Sequence, residues 1–383
     1  MKNKTGKILI GAILVGVIAL GTNFGSINTK ALENGYMDGT DQQFMYTSRS
    51  LRCSIAKGKE EYYIMKDGYL YAGNPENMKS QGYFLASNFL AYYDGSLYIT
   101  HRDTAKDIKK LELLKVSLDG EDRETIYVFD KTPTSIAIHR GELYYSVRDE
   151  INAEGYEYSD RHILNKVKLG EQKATKLYEG DLDREEVIED IKCYGKYIYF
   201  MVRSYKDDEI TSKQMYYDTV TNTVERIHSD DDKDIVSNVR MVEDKIIYTV
   251  CNPEPKTDCT YEEYIACFKQ YMANLDGSEI KESLLSNVNG TVLGDGENFV
   301  VQLVDRINHE QTGIQMYTPQ GKLISSVNLE GYSEELYTVL PGDEDYLFIV
   351  NRPHGDDTSI VSVDKKKLMQ GEFEQKLMVK SER

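Results

Sequence analysis

Positive charge is scarce in this sequence of 383 residues. Lysine and arginine number 46 against 64 aspartate and glutamate residues, so the formal net charge at pH 7 is −18. Binding to a nucleic-acid backbone requires a basic face, and no long basic stretch supplies one. The composition therefore argues against nucleic acid as a partner, and we expect the acidity to serve solubility.

Cysteine is also rare, and the number of cysteines is odd. The five are Cys53, Cys193, Cys251, Cys259 and Cys267. They are too few for a disulfide framework. Because Cys251, Cys259 and Cys267 fall within one predicted loop, one local disulfide between two of them is possible in an oxidising compartment. Cys53 and Cys193 are expected to be small buried apolar residues. The wide spacing and the lack of a nearby histidine argue against a zinc site.

Sequence signatures of enzymes are missing as well. The chain contains no Gly-x-Ser-x-Gly elbow, no His-Glu-x-x-His helix and no glycine-rich phosphate loop. The histidines are scattered over different repeats, at His101, His139, His162, His228, His309 and His354. Asp230, Asp232 and Asp234 lack the alternation and the glycine of a calcium loop. The sequence therefore predicts no catalytic residue, no metal site and no cofactor.

What the sequence does contain is a repeated hairpin. In residues 137–148, two apolar strands rich in tyrosine and valine flank a tight turn at Arg140-Gly141. Related stretches occupy residues 91–102, 193–203, 241–251, 293–303 and 340–352. Successive turns lie roughly 45 to 55 residues apart, which is the period of a β-propeller blade.

Each well-marked repeat carries a second hairpin, typified by residues 113–120 with their Asp119-Gly120 turn. Four antiparallel strands per repeat predict an all-β fold, a β-propeller of four-stranded blades. Six blades run from about Ser87 to the C-terminus. Residues 51–86 are interpreted as a compact seventh blade, so we favour seven blades over six. Little helix is expected, and residues 183–190 are assigned to a short turn between blades.

The N-terminus has the pattern of an export signal. Lys2, Lys4 and Lys7 precede an apolar run over residues 8–21, which as a helix spans only about 21 Å of the roughly 30 Å of hydrocarbon in a bilayer. Cleavage after Ala31 is the first choice, and retention of residues 8–24 as a membrane anchor is the alternative. We therefore assign residues 1–31 to a signal peptide or anchor, 32–50 to a linker and 51–383 to the propeller. Both alternatives place the body outside the cytoplasm.

The repeated pattern Gly-x-Leu-Tyr-Tyr, a variable loop and then an Asp-Gly turn resembles bacterial extracytoplasmic β-propellers of the YWTD-like type, many of them domains of unknown function. The resemblance covers about residues 51–379 and implies the architecture, without implying an activity. The Tyr-Trp-Thr-Asp box that names the type is missing, because the chain has no tryptophan. The resemblance therefore implies no ligand-binding residue in this chain.

The candidate site lies where second strands meet long loops. Four second strands end in arginine, at Arg102, Arg148, Arg203 and Arg352, and Arg306 lies slightly further along its repeat. We expect these guanidinium groups to form a partial ring that binds an anionic ligand, with Tyr98, Tyr145 and Tyr199 as packing surface. The alternative is that each arginine pairs with an acid such as Asp103, Asp149 or Asp207 and ties blades together.

The sequence favours a non-catalytic function. The chain is interpreted as an exported or membrane-tethered monomeric propeller that binds a protein, a peptide or an anionic cell-envelope glycan at its long-loop face. One alternative is a propeller enzyme, a lyase or hydrolase acting on an anionic polymer, with histidine or tyrosine as base and the arginines neutralising carboxylates. A second alternative is a sensory ectodomain.

Overall fold

The computed structural model describes residues 45–48, 53–84, 89–102, 110–152, 158–204, 211–227, 235–251, 267–287, 290–294, 297–305, 310–329, 336–340, 342–352 and 358–380. The fold is an all-β propeller of seven blades, each built on four antiparallel strands. Both the repeat-based fold class and the preference for seven blades over six are confirmed.

By internal contacts the chain divides into two compact units. Residues Lys131–Ser286 form the three-blade unit, which holds blades 3 to 5. Residues Gly35–Asp130 and Asn287–Arg383 form the four-blade unit, which holds blades 1, 2, 6 and 7. The candidate site discussed below lies within the three-blade unit.

In the four-blade unit, strands follow one another in sheet order. Blade 1 comprises β1 (Met45–Ser48), β2 (Cys53–Lys57), β3 (Tyr62–Lys66), β4 (Tyr69–Asn74) and β5 (Asn77–Tyr83). Blade 2 comprises β6 (Leu90–Tyr93), β7 (Ser96–Arg102), β8 (Leu111–Val116) and β9 (Arg123–Val128). Blade 6 comprises β22 (Gly290–Gly294), β23 (Phe299–Asp305), β24 (Glu310–Tyr317) and β25 (Leu323–Asn328). Blade 7 comprises β26 (Leu336–Leu340), β27 (Tyr346–Arg352), β28 (Ser359–Asp364) and β29 (Gln375–Lys380).

The three-blade unit has the same order of strands. Blade 3 comprises β10 (Pro133–His139), β11 (Glu142–Asn152), β12 (Tyr158–Lys168) and β13 (Thr175–Glu179). Blade 4 comprises β14 (Val187–Tyr194), β15 (Tyr197–Ser204), β16 (Thr211–Asp218) and β17 (Thr223–Arg226). Blade 5 comprises β18 (Ile235–Val242), β19 (Lys245–Cys251), β20 (Phe268–Asn274) and β21 (Lys281–Glu282), followed by a 3₁₀ turn at Leu284–Asn287.

The predicted hairpin turn at Arg140-Gly141 is present. Arg140 has φ 49° and Gly141 has φ 76°, so both central residues are left-handed, as a two-residue type I′ turn requires. His139 pairs with Glu142 across this turn, and β11 then pairs with β12. The turn thus sets the register of the first two strands of blade 3.

The core consists of apolar faces from neighbouring blades. In the three-blade unit, Tyr199 and Tyr216 of blade 4 pack in one buried cluster with Ile246 and Tyr248 of blade 5. The long apolar runs of the second strands are buried on both faces because blades cover them on either side. The fold therefore uses its tyrosines chiefly as core residues.

Several segments differ in detail from the sequence expectations. Residues 183–190 are divided between a turn at 182–185 and the start of β14, so the chain is extended from Val187 onward. The segment from Arg148 to His162 is one of the long loops expected after the second strands. It is mostly an extension of the β11–β12 hairpin, because backbone pairing continues past the apolar pattern to Asn152 opposite Tyr158. β1, which pairs with β2, lies inside the segment assigned to a linker.

Helix is sparse, as expected. The α-helix α1 (Lys365–Met369) follows β28, and the Asp364 side chain caps it by accepting the Lys367 backbone N–H at 3.1 Å. Within the described ranges, no helix has the length and apolarity needed to cross a membrane. The export signal, Cys259, Arg306 and the aspartates at 230–234 lie outside the described residues.

Candidate functional site

The four predicted arginines are divided between the two units. In the four-blade unit, Arg102 ends β7 and is half-buried, and Arg352 ends β27 with its side chain outside the described residues. In the three-blade unit, Arg148 is exposed on β11 opposite His162, and Arg203 pairs with Glu189 of its own blade at 3.5 Å. The arginine ring remains a prediction.

The three predicted tyrosines are core residues. Tyr98, Tyr145 and Tyr199 are 5%, 7% and 0% exposed. Burial raises the pKa of Tyr98 to about 12. The Tyr199 hydroxyl donates to the Leu275 carbonyl oxygen at 2.5 Å. The Tyr199 hydroxyl thus stabilises the three-blade unit, and a role of the three tyrosines in packing against a ligand stays a prediction.

The three-blade unit brings together residues that the sequence analysis did not select. Its first strands β10, β14 and β18 lie next to one another: the Ile191 backbone N–H donates to Ser135 Oγ at 3.1 Å, and Lys192 Nζ donates to the Val239 carbonyl oxygen at 3.1 Å. Such contacts between the first strands of successive blades are expected at the inner edges of the blades, which surround the channel of a propeller.

Each of these first strands carries a bulge. Register shifts occur between Pro133 and Ser135, between Glu189 and Lys192, and between Ser237 and Arg240. A bulge redirects side chains and is common beside active sites. At the bulge in β14, Asp190 has φ 57°, the left-handed region that glycine occupies most easily. The other non-glycine residues with positive φ among those described lie in turns or bends, so Asp190 is a conspicuous exception inside a strand.

Asp190, Lys192 and Arg240 form the cluster that we call the inner-strand site. Lys192 Nζ donates to the Asp190 carboxylate as well as to the Val239 carbonyl oxygen. Arg240 Nη1 donates to the same Val239 oxygen at 2.9 Å. One backbone acceptor therefore holds an amine and a guanidinium near each other, and the amine is also bonded to a carboxylate.

The electrostatics of the inner-strand site are unusual. Burial, reinforced by the charge of Arg240, lowers the pKa of Lys192 to about 8 in spite of Asp190. Burial would raise the pKa of Asp190, but the charges of Lys192 and Arg240 outweigh it and hold that pKa below its ordinary value. The Lys192 amine is thus poised between its charged and neutral forms near physiological pH, while Asp190 stays ionised.

Solvent still reaches this site. The Lys192 side chain is 25% exposed and that of Asp190 is 47% exposed, although burial is the largest single influence on the pKa of each group. The buried Nε of Arg240 has no hydrogen-bond partner among the described residues.

The inner-strand site has a sequence signal, which appears when the repeats are aligned at their hairpin turns. Lys192 and Arg240 pair with the third residue of their second strands, Tyr199 and Ile247. The residues that are paired in the same way in the other blades are apolar, namely Ile55, Ala91, Ala137, Val292 and Leu340. Two charged residues at an otherwise apolar inner position, in adjacent repeats, were the available signal.

Other buried polar groups tie blades together. His139 Nε2 donates to the Gly195 carbonyl oxygen at 2.7 Å, which links blade 3 to blade 4. In the four-blade unit, Tyr62 of blade 1 donates to Asp343 of blade 7 at 2.6 Å. Within the part of the chain that the structure describes, no group of three or more His, Cys, Asp and Glu residues is arranged to hold a metal ion.

Comparison with known proteins identifies relatives by structure. No protein-family model matches the chain, and no curated protein sequence matches it. A prolyl endopeptidase structure matches with TM-score 0.61 and 12% identity over 97% of this chain and 54% of that protein. Prolyl oligopeptidase B from Galerina marginata, bound to a 35-residue substrate, matches with TM-score 0.54 and 12% identity over 93% of this chain and 54% of that protein.

An oligogalacturonate lyase in complex with manganese matches with TM-score 0.50 and 10% identity, over 84% of this chain and 95% of the lyase. The chain spans about half the length of the prolyl peptidases but is matched to almost the whole lyase. At these identities the comparisons show the fold alone. These neighbours are propeller enzymes, so the findings contradict the non-catalytic interpretation as the leading one.

Proposed function

We propose that this chain is a propeller enzyme of the lyase class, which cleaves an anionic oligosaccharide at the inner-strand site. The observation that carries the proposal is the shared acceptor: Lys192 Nζ and Arg240 Nη1 both donate to the Val239 carbonyl oxygen, at 3.1 and 2.9 Å. The amine is the base, and the guanidinium binds the carboxylate of the substrate. Lysine thus replaces the histidine or tyrosine expected from the sequence.

The reaction that fits these groups is β-elimination from a uronate residue. Neutral Lys192 Nζ removes the proton from C5, which is acidified by the adjacent carboxylate, and becomes an ammonium. The C5–H electron pair forms the C4=C5 double bond and the bond from C4 to the glycosidic oxygen breaks. The leaving oxygen takes a proton from the Lys192 ammonium, which restores the neutral amine. The products are an unsaturated uronate and a shortened saccharide, with no change in the total of protons.

Each residue of the inner-strand site has a part in this step. Arg240 neutralises the substrate carboxylate, on which negative charge develops as the proton leaves. A base is most effective when its pKa lies near the working pH, which the lowered pKa of Lys192 satisfies. Asp190 holds the amine by a hydrogen bond and stabilises the ammonium once it forms.

Elimination is favoured over hydrolysis by the carboxylate content of the cluster. Most glycoside hydrolases place two carboxylic residues on either side of the scissile bond. Among the described residues, Asp190 is the one carboxylate bonded to Lys192, and its neighbour Glu189 is paired with Arg203. An amine beside a guanidinium suits proton abstraction next to a carboxylate better than it suits displacement at a sugar carbon.

The wider comparisons agree with this proposal without carrying it. The oligogalacturonate lyase is, by its name, an enzyme on an anionic saccharide, and nearly its whole chain is matched by the present one. An extracytoplasmic location, which we also propose from the N-terminal export pattern, would give the enzyme access to polymers that do not cross a membrane. We also propose, from the repeat pattern of the sequence, that the propeller is of the YWTD-like type.

The test is a substrate screen with matched lysine variants. The full chain is incubated with oligogalacturonate, oligoguluronate and oligoglucuronate, and with neutral maltodextrin as a control, and the ultraviolet absorbance of the unsaturated uronate is followed. We expect activity on at least one uronate, lost by a factor of about 100 or more in Lys192→Met. The control is Lys196→Met, since Lys196 belongs to the same blade but pairs with Asp218 in a turn. Equal rates in the two variants would refute the assignment.

A further inference from the structure

The same amine has a second chemical capacity, which does not depend on elimination. We propose that Lys192 forms an imine with 2-oxo acids, whose carboxylate is bound by Arg240. The inference goes beyond the proposed function, because it concerns covalent addition to a carbonyl group and requires no turnover of a saccharide.

The geometry carries this proposal. In a 2-oxo acid the carbonyl carbon is bonded directly to the carboxylate carbon, so a site for it needs a nucleophile and an anion-binding group close together. Lys192 Nζ and Arg240 Nη1 meet this condition, because both donate to the Val239 carbonyl oxygen. A guanidinium carries several N–H donors in a planar fork, so Arg240 is well suited to bind a carboxylate.

The step balances without an added reactant. The lone pair of neutral Lys192 Nζ attacks the carbonyl carbon, and the π electrons of the C=O bond move to oxygen. Proton transfer from nitrogen to oxygen gives a carbinolamine, which loses water to form the C=N bond. The imine then takes a proton from the solvent, and the Asp190 carboxylate, already hydrogen-bonded to Nζ, accepts a hydrogen bond from the iminium.

The protonation state of the amine supports this chemistry. With the pKa of Lys192 at about 8, roughly a tenth of the amine is neutral at pH 7, against about one part in three thousand for an unperturbed lysine. Lysines next to another cation are activated in this manner for addition to carbonyl groups. The groups that face the amine, Asp190 and Arg240, act in opposite directions, and burial together with Arg240 prevails.

A second lysine of the three-blade unit provides an internal comparison. The pKa of Lys281 is also lowered, by burial and by the charge of Lys245. Its cationic neighbour is an amine, whereas that of Lys192 is a guanidinium. If a lowered pKa alone decided reactivity, Lys281 would be modified too; if the carboxylate of the 2-oxo acid directs addition, Lys192 is modified in preference.

The experiment is reductive trapping on the full chain. The protein is incubated at pH 7 with pyruvate and sodium cyanoborohydride, and the adduct is counted by intact mass and located by peptide mapping. We expect one adduct per chain, on Lys192, and no such adduct in Lys192→Met, while Lys196→Met is labelled like the wild type. Arg240→Gln is expected to slow labelling roughly tenfold to a hundredfold. Acetone, which lacks the carboxylate, is expected to label slowly and without preference for Lys192.

Mapping in the wild type locates the adduct even if a variant fails to fold. Labelling spread over exposed lysines, labelling of Lys281 in preference to Lys192, or equal rates with pyruvate and acetone would each overturn the proposal. Lyase activity is measured separately on the same preparations. A protein that cleaves uronates but is not trapped disproves the imine alone, and a protein that is trapped but cleaves nothing disproves the proposed elimination alone.

Discussion

Lys192 and Arg240 donate to one carbonyl oxygen, that of Val239, at 3.1 and 2.9 Å. The backbone of β18 thereby holds two like charges close together. The arrangement raises the electrostatic energy of the site, and the compensating carboxylate, Asp190, lies in a strained left-handed conformation. Such a costly combination inside a stable scaffold is typical of a functional site.

Arg240 is expected to control the protonation of Lys192. Its charge is one of the causes that lower the pKa of Lys192 to about 8, so Arg240→Gln should move that pKa upward. The measurement is the pH dependence of acetylation of Lys192 by a limiting amount of acetic anhydride, followed by peptide mass. The midpoint should shift to higher pH in Arg240→Gln but not in Arg148→Gln, which alters an exposed arginine. An unchanged midpoint in both variants would show that burial alone sets the pKa.

Replacing Lys192 by methionine should stabilise the fold at neutral pH while it removes activity. The pKa of Lys192 falls from 10.5 in the unfolded chain to about 8 in the fold, so between these values the unfolded state binds more protons and wild-type stability rises with pH. The advantage of Lys192→Met in free energy of unfolding should therefore shrink from pH 7 to pH 10, by on the order of 2 kcal/mol. Denaturant titrations at both pH values measure it, and an advantage that is independent of pH would contradict it.

The sequence predicted the architecture well because its signals are local. A hairpin such as Arg140-Gly141 requires left-handed residues in its turn, and the repeat of that pattern counts the blades without any knowledge of long-range contacts. The sequence did not predict a role for Lys192, because its contacts are not local. Its neighbour Asp190 was assigned to an interblade turn, whereas the chain there is a bulged strand, and the partner Arg240 is in the next repeat. Contacts between the first strands of two blades leave no spacing signal within either repeat.

His139 makes the three-blade unit sensitive to acid. It is fully buried, and burial, with the charge of Arg140, lowers its pKa to about 4. Because the unfolded histidine titrates near 6.5, the stability that this group contributes is present above that pH and is lost as pH falls towards 4. From pH 7 to pH 5 the wild type should lose about 2 kcal/mol more free energy of unfolding than His139→Gln. Equal losses in both proteins would show that His139 does not titrate as expected.

Tyr199 is expected to serve stability rather than ligand binding. Its hydroxyl donates to the Leu275 carbonyl oxygen at 2.5 Å, and the side chain is fully buried. Tyr199→Phe leaves that carbonyl oxygen without this donor and should cost about 1 to 3 kcal/mol in denaturant unfolding. The rate of imine trapping at Lys192 should stay within about twofold of the wild type. A large fall in trapping with unchanged stability would instead support the original view of Tyr199 as part of a ligand site.

Asp343 is expected to be the most costly acidic residue to remove from the four-blade unit. It is 5% exposed and accepts hydrogen bonds from Tyr62, at 2.6 Å, while Lys57 Nζ lies 3.0 Å away. Asp343→Ala leaves the hydroxyl and the amine of blade 1 without this carboxylate, and we expect a loss of about 3 kcal/mol in the free energy of unfolding. Tyr62→Phe, which removes one hydroxyl, should lose about 1 kcal/mol. The matched control is Asp130→Ala, since the Asp130 ion pair with Lys110 is exposed and should contribute nothing measurable. Comparable losses in the buried and the exposed variants would mean that the contact between blades 1 and 7 does not depend on Asp343.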